Sequence, residues 1–357
     1  MKTSVQVFAG LSFAPVMAVM LLVSSRAVAA DREQRFHEYD TRRMEWMQKT
    51  AAGGGLWGAT ARMYLNREID EANRIVMETD FSRIYWAKQT ELIPLYEMFN
   101  ADDGHRAKLL SREATDKIQN HLWERFQPGA EHARHYHFVP DQPWRSWGNQ
   151  NHGFVYQTLF YTGANAVKHA PKYAEQFAPV KHVPVGQGVE SYEQRPELTT
   201  ISLADYAESA RQLWRTKLLY MAQTGLWAED MIYRVSNVEG AYNLAYHADD
   251  PVVRQRASMI LDLHWLLYAL QTVDDQFGGA QNRFKSHYAG YHPERGTGWF
   301  YFGGRRGSQP CKAAIVGDYL PPQIACDLLE NPGKRGCFIH RERLPMLNGP
   351  DEMDHDL

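Results

Sequence analysis

Apolar residues recur every three or four positions along most of this chain, and no alternating apolar–polar run persists before its final residues. The first spacing buries one face of a helix, and the missing alternation is what a half-buried strand would need. The helical period runs through Arg42–Gln48, Ala59–Glu78, Ser82–Asn100, Ser111–Phe126, Gly153–Ala170, Ser202–Thr224 and Val252–Val273. In Ser82–Asn100 it is carried by Ile84, Ala87, Leu92, Leu95 and Met98. Ser111 and Ser202 stand where N-caps belong, and Gly225 stands where a helix stops. A further helix begins at Asn243–Tyr246 and ends before Asp249-Asp250-Pro251, and Leu320-Pro321-Pro322 opens a last short one. Asp141–Trp147 reads as a loop, Val180–Thr199 as a polar insertion, and Gly278–Gly307 as a loop rich in Gly, Arg and aromatics. Helix pairs joined by such loops predict an all-α fold with little or no β-structure. An (α/α) toroid, an incomplete barrel of helix hairpins, is the natural arrangement. No strict repeat is present, which argues against the short-period solenoids.

With 357 residues, 44% of them hydrophobic, the chain can bury the core of one large domain. Its mean hydropathy of -0.51 excludes a bundle of membrane helices. Lys2, the apolar stretch Val5–Val23 and Ala27-Val28-Ala29-Ala30 together read as a secretory signal peptide. The expected organisation is a signal over residues 1–30, the toroid over 31–330, and over 331–357 a tail or the start of a missing domain. The expected location is periplasmic or secreted, with no stable membrane insertion once the signal is cleaved. Removing the first 30 residues leaves 37 basic against 42 acidic residues, a net of -5. That balance offers no basic field for nucleic acid, and an anionic substrate would need a local basic patch. Cys311, Cys326 and Cys337 form no disulfide framework, and although Cys326–Cys337 is the nearest pair, sequence does not choose among them.

Three segments can carry chemistry. The first is Trp144-Arg145-Ser146-Trp147-Gly148-Asn149-Gln150-Asn151-His152-Gly153, at a loop-to-helix junction. Asn151 can donate to an oxyanion, His152 can exchange a proton near neutral pH, and Trp144 and Trp147 can stack on sugar rings. Asn149 and Asn151 could equally cap a helix. The second is Phe277-Gly278-Gly279-Ala280-Gln281-Asn282-Arg283-Phe284-Lys285-Ser286-His287-Tyr288. Arg283 offers a planar fork for a carboxylate, and Lys285, His287, Arg305 and Arg306 extend the polar surface. Tyr288 and Tyr291 are phenols beside those cations. The third runs from Gly225 to Tyr233 and on to Tyr242-Asn243-Leu244, where Tyr233 and Tyr242 are candidates to face a cleft and Tyr242 or Tyr246 could instead be core. His135-Tyr136-His137 lacks a clear third ligand, so no metal is expected. The Walker and Gly-x-Ser-x-Gly patterns are absent.

Taken together, these segments resemble the α/α-toroid polysaccharide lyases, the group of alginate lyases and heparinase II/III-like proteins. Asn149 to His152 looks like the Asn-His motif of those enzymes, and Gly278-Gly279-Ala280 with Arg283 looks like their Arg-bearing loop. Tyr319-Leu320-Pro321-Pro322 is similar to a stretch of related bacterial proteins. The resemblance spans roughly Trp57 to Cys337. It departs from the pattern in the offset of the tyrosine, so that Tyr288 and Tyr291 compete, and in ending too early for a C-terminal β-sandwich. It implies β-elimination of a uronic-acid polymer, without metal or organic cofactor. Asn151 and Arg283, with Asn149, would neutralise the carboxylate, His152 would be the base and Tyr288 the acid. Trp144, Trp147, Tyr233, Tyr242, Lys285, His287, Tyr291 and Arg305 would contact the anionic polysaccharide. The alternatives are a toroid glycoside hydrolase using two carboxylates from Glu229, Asp230, Glu239, Asp274 or Asp275, and a non-catalytic carbohydrate-binding protein.

Overall fold

The computed structural model describes residues 14–84, 86–126, 150–168, 201–224, 231–273, 276–277, 295–304 and 310–335, with short pieces at 170, 172–173, 177–178, 183–184 and 192–193. The fold is all-α. Its helices are α1 (Ala14–Ala51), α2 (Gly55–Tyr64), α3 (Ile69–Glu78), α4 (Leu92–Phe99), α5 (Arg112–Phe126) and α6 (Gln150–Lys168). They continue as α7 (Leu203–Thr224), α8 (Met231–His247), α9 (Pro251–Gln271), α10 (Arg295–Phe302), α11 (Lys312–Val316) and α12 (Gln323–Glu330). The extended structure described is three antiparallel ladders of two-residue strands. In these β1 (Phe177–Ala178) pairs with β4 (Ile201–Ser202), β2 (Val183–Pro184) with β3 (Tyr192–Glu193), and β5 (Thr272–Val273) with β6 (Gln276–Phe277). Residues 1–42 form one compact unit and residues 43–357 another. Among the described residues no helix is long and apolar enough to cross a membrane.

Local chemistry explains where the elements differ from the sequence expectation. Ala59–Glu78 is two helices rather than one. After α2 the Asn66 N–H donates to the Met63 carbonyl and the Arg67 N–H to the Arg62 carbonyl, each at 3.0 Å. This is a Schellman closure, and Asn66 takes the left-handed conformation it needs, with φ of 50°. Asparagine tolerates that region better than other residues with a Cβ. Asn66→Ala is therefore expected to lower stability by about 1 kcal/mol and Asn66→Gly to preserve it, as read from urea midpoints.

Ser82–Asn100 is likewise not one helix. The Asp80 carboxylate accepts from the Ser82 N–H at 3.0 Å and from its hydroxyl at 2.6 Å, which closes a short 3-10 turn over Phe81–Arg83. A second 3-10 segment covers Trp86–Glu91 before α4 begins. Pro94 lies in the first turn of α4, where its missing N–H would have had no partner, whereas in mid-helix it would break the ladder. Two further differences are that α8 begins at Met231, well before Asn243, and that α10 lies inside the stretch read as a loop. The predicted cap at Ser111 is present, its hydroxyl accepting from the Ala114 N–H at 3.1 Å. Asp250 caps α9 from the Val252 N–H at 2.8 Å, ahead of Pro251.

Contacts along the helices fix their directions. Phe154 stacks edge-on against Trp214, with ring centroids 5.0 Å apart, and the Lys217 ammonium donates to Gln157 Oε1 at 2.6 Å. At the other end of α6, Lys168 shares a groove with Ala204 and Ala207, so α6 and α7 run antiparallel. Gly240 lets α8 approach α6 closely, since a Cβ there would sit 2.9 Å from the Phe154 ring. Farther along, Tyr161 and Asn165 reach Asp249, just beyond the end of α8, so α6 and α8 are parallel. The short link 248–250 then reverses the chain, and Trp265 of α9 meets Tyr242 of α8. One end of this group thus carries the N-termini of α6 and α8 with the C-termini of α7 and α9. The other carries the C-termini of α6 and α8 with the N-termini of α7 and α9.

The core between α8, α9 and α10 is aromatic. Trp265 is fully buried, donates its indole N–H to the Tyr242 hydroxyl at 2.8 Å, and packs edge-on against Tyr268, Tyr301 and Phe302. Gly298 is required beside it, because a Cβ would lie 2.3 Å from the Tyr268 hydroxyl.

Candidate functional site

The residues suggested by the sequence fall into three groups. Asn151 and His152 lie in the first turn of α6 and Tyr233 in the first turn of α8, with their side chains outside the description. Asn149, Trp144, Trp147, Arg283, Lys285, His287, Tyr288, Tyr291 and Arg305 lie outside the described residues, as do Glu229, Asp230, Asp274 and Asp275. The third group is Tyr242, for which a cleft-facing role is corrected. Its ring has no exposed surface and is held by Trp265, Tyr246, Tyr301 and Tyr319, so it presents nothing to a ligand. These aromatic rings pack around it and make Tyr242 a core residue.

Topology places the start of the first motif. Gln150–His152 opens α6 at the end of the bundle where α8 begins and α9 finishes. The β5–β6 ladder folds back at the same place, Thr272 opposite Phe277. A helix N-terminus presents unpaired N–H groups and a partial positive charge, which favours negative charge developing nearby.

Glu239, the one described hydrolase candidate, is on α8. Burial, together with the neighbouring Glu91 carboxylate, raises its carboxyl to about 7, against which Lys312 and the Thr90 hydroxyl act. Lys312 is ion-paired with Glu91.

At the opposite end of α6 lies a cleft of about 920 Å³ that the sequence reading did not anticipate. Its lining includes Glu97 in the last turn of α4, His247 at the end of α8 and Asp249 just beyond it. Burial, then the Asp103 and Asp249 carboxylates, push the Glu97 carboxyl up to about 8. Burial and His105 push the His247 imidazole down to about 3, so it stays neutral. Asp249 goes the other way. Burial would raise it, but Lys168 and the Tyr161 hydroxyl, which donates at 2.7 Å, hold it below the ordinary carboxylate value. The arginine fork of Arg112 binds Asp102 at the rim with contacts of 2.9 and 2.6 Å. A lone Glu within the apolar run Leu92-Ile93-Pro94-Leu95-Tyr96-Glu97-Met98-Phe99 was the available signal.

Folded Glu97 keeps its proton up to about pH 8, while the unfolded chain releases it near the ordinary 4.5. Between these values the folded state binds more protons, so its contribution is complete below the lower pH and is lost as pH rises through the upper one. Glu239 adds to the same slope up to about pH 7. Glu97→Gln is expected to flatten the fall of the urea midpoint from pH 5 to pH 8 and to raise the midpoint at pH 8. An unchanged pH profile would contradict the assignment.

No family model, curated protein or solved structure matches this chain. Among the described residues no group of three His, Cys, Asp or Glu side chains could hold a metal ion.

Proposed function

We propose that this chain is an exported polysaccharide lyase, built as an (α/α) toroid, that cleaves an alginate- or glucuronan-like polyuronate by β-elimination. The observation supporting it most is that α6 opens with Asn151 and His152 at the end of the bundle where the β5–β6 ladder brings Phe277, the first residue of the second motif. On this reading the second motif continues from Phe277 beside the start of α6, as a single sugar-binding site requires.

The chemistry follows from the substrate. The C5 proton of a uronate is poorly acidic while the adjacent carboxylate is charged. Asn151 and Arg283, aided by Asn149, would neutralise that carboxylate and stabilise the enolate-like charge that develops. His152 takes the C5 proton, the electron pair forms the C4–C5 double bond, and the C4–O4 bond breaks as Tyr288 protonates O4. Trp144, Trp147 and Tyr233 would border the sugar, with Lys285, His287, Tyr291 and Arg305 meeting its charge. No cofactor is needed for these steps.

The test is a panel of uronic-acid polymers, with a neutral polysaccharide as control, followed by ultraviolet absorbance of the new double bond. Rising absorbance on a polyuronate alone is the expected result. New reducing ends without absorbance would replace the proposal with a two-carboxylate hydrolase, and binding without turnover would replace it with a non-catalytic carbohydrate-binding protein.

A further inference from the structure

The cleft at the far end of α6 is separate from the proposed lyase site. His152 and Lys168 are sixteen residues apart on one helix, about 24 Å at ~1.5 Å per residue. The cleft's volume of about 920 Å³ is in the range that encloses a small organic ligand.

Two features define what would fill it. The first is charge. The lining carries the carboxylates of Asp102, Asp103, Asp116 and Asp249, with the protonated carboxyl of Glu97 beside them, against three cations, Arg112, Lys168 and Lys172. Arg112 is committed to Asp102 and Lys168 to Asp249. Among the described residues, Asp103 and Asp116 form no ion pair, and the Lys172 ammonium donates to Asn120. The cleft lies at the C-termini of α4, α6 and α8 and the N-terminus of α5, and the N-termini of α7 and α9 stand at the same end, so helix-end charge does not decide its sign. The second feature is His247, which is 8% exposed and lines the cleft, while neither ring nitrogen has a hydrogen-bond partner. A buried imidazole left in that state is uncommon, because the loss of hydration is not compensated. Its neighbour His105 lies at a centroid distance of 5.7 Å and is anchored by Nδ1 to the Glu97 carbonyl at 2.7 Å.

We propose that this cleft binds a small organic cation, a primary ammonium compound that also carries hydroxyl groups, with the ammonium held by the Asp103 carboxylate beside Glu97 and Asp249 and a ligand hydroxyl completing His247. A neutral imidazole is both donor and acceptor and so matches a hydroxyl group. Tyr96 and Tyr246 supply the apolar borders. An anion is repelled by the same lining, so the sugar acids of the proposed lyase reaction do not belong here.

The test is isothermal titration of the full chain with glucosamine, with glucose as its neutral isostere and glucuronate as the anion, at neutral pH and low salt. Glucosamine is expected to bind at a single site at least tenfold more tightly than glucose, and glucuronate not to bind. Asp103 is exposed, so Asp103→Asn leaves the fold intact by circular dichroism and is expected to weaken glucosamine binding tenfold or more. Equal binding of glucose, no binding of glucosamine, or full affinity in Asp103→Asn would each overturn the proposal. None of these outcomes bears on lyase activity, which is read from a different polymer at the other end of the bundle.

Discussion

His152→Ala is expected to reduce turnover of the polyuronate roughly a hundred- to ten-thousand-fold, the usual effect of removing a positioned base. In the proposed elimination His152 is the base for the C5 proton, and the first turn of α6 holds position 152 where α8 begins and α9 ends. Tyr288→Phe is expected to give a loss of the same order by removing the acid that protonates O4. The two effects should not add, because base and acid serve one elimination and either loss stops it. Initial rates by absorbance, with circular dichroism to show retained folding, check both. Full activity in either variant would remove that residue from its assigned role.

Trp265→Ala carries the largest expected effect on stability, a loss of about 3–5 kcal/mol. The indole is fully buried and touches α8, α9 and α10 at once, through Tyr242, Tyr268, Tyr301 and Phe302. Removing it opens a cavity that these stiff rings cannot close, and it takes the indole N–H from the Tyr242 hydroxyl. Trp265→Phe keeps most of the volume and loses only the hydrogen bond and the outer ring, so a smaller loss is expected. The midpoint of urea unfolding separates the cases. A Trp265→Ala protein as stable as the parent would mean that this cluster does not hold α8, α9 and α10 together.

Much of the fold was legible in the sequence because helix periodicity is a local property. Ser111 capped α5, the Asp249-Asp250-Pro251 stop separated α8 from α9, and Pro321-Pro322 preceded α12, as their chemistry requires. The misreadings came from residues that act against an otherwise good pattern. Pro94 and Asp80 divide Ser82–Asn100, and Asn66 divides Ala59–Glu78 by taking a left-handed conformation. Periodicity counts apolar positions and is blind to both effects.

The functional residues were less legible, for a different reason. Tyr242 looks in sequence like a tyrosine that could face a cleft, yet it meets Trp265 and is sealed in the core. Rotation of a helix decides such things, and rotation is set by partners distant in the chain. The far cleft was invisible for the same reason, since Glu97, Lys168 and His247 come from three helices and no motif links them.

The most direct measurement is digestion of a polyuronate in heavy-oxygen water, followed by mass spectrometry of the fragments. Elimination takes no oxygen from solvent, so the account predicts unlabelled, unsaturated fragments. Saturated fragments carrying solvent oxygen at the new ends would contradict it.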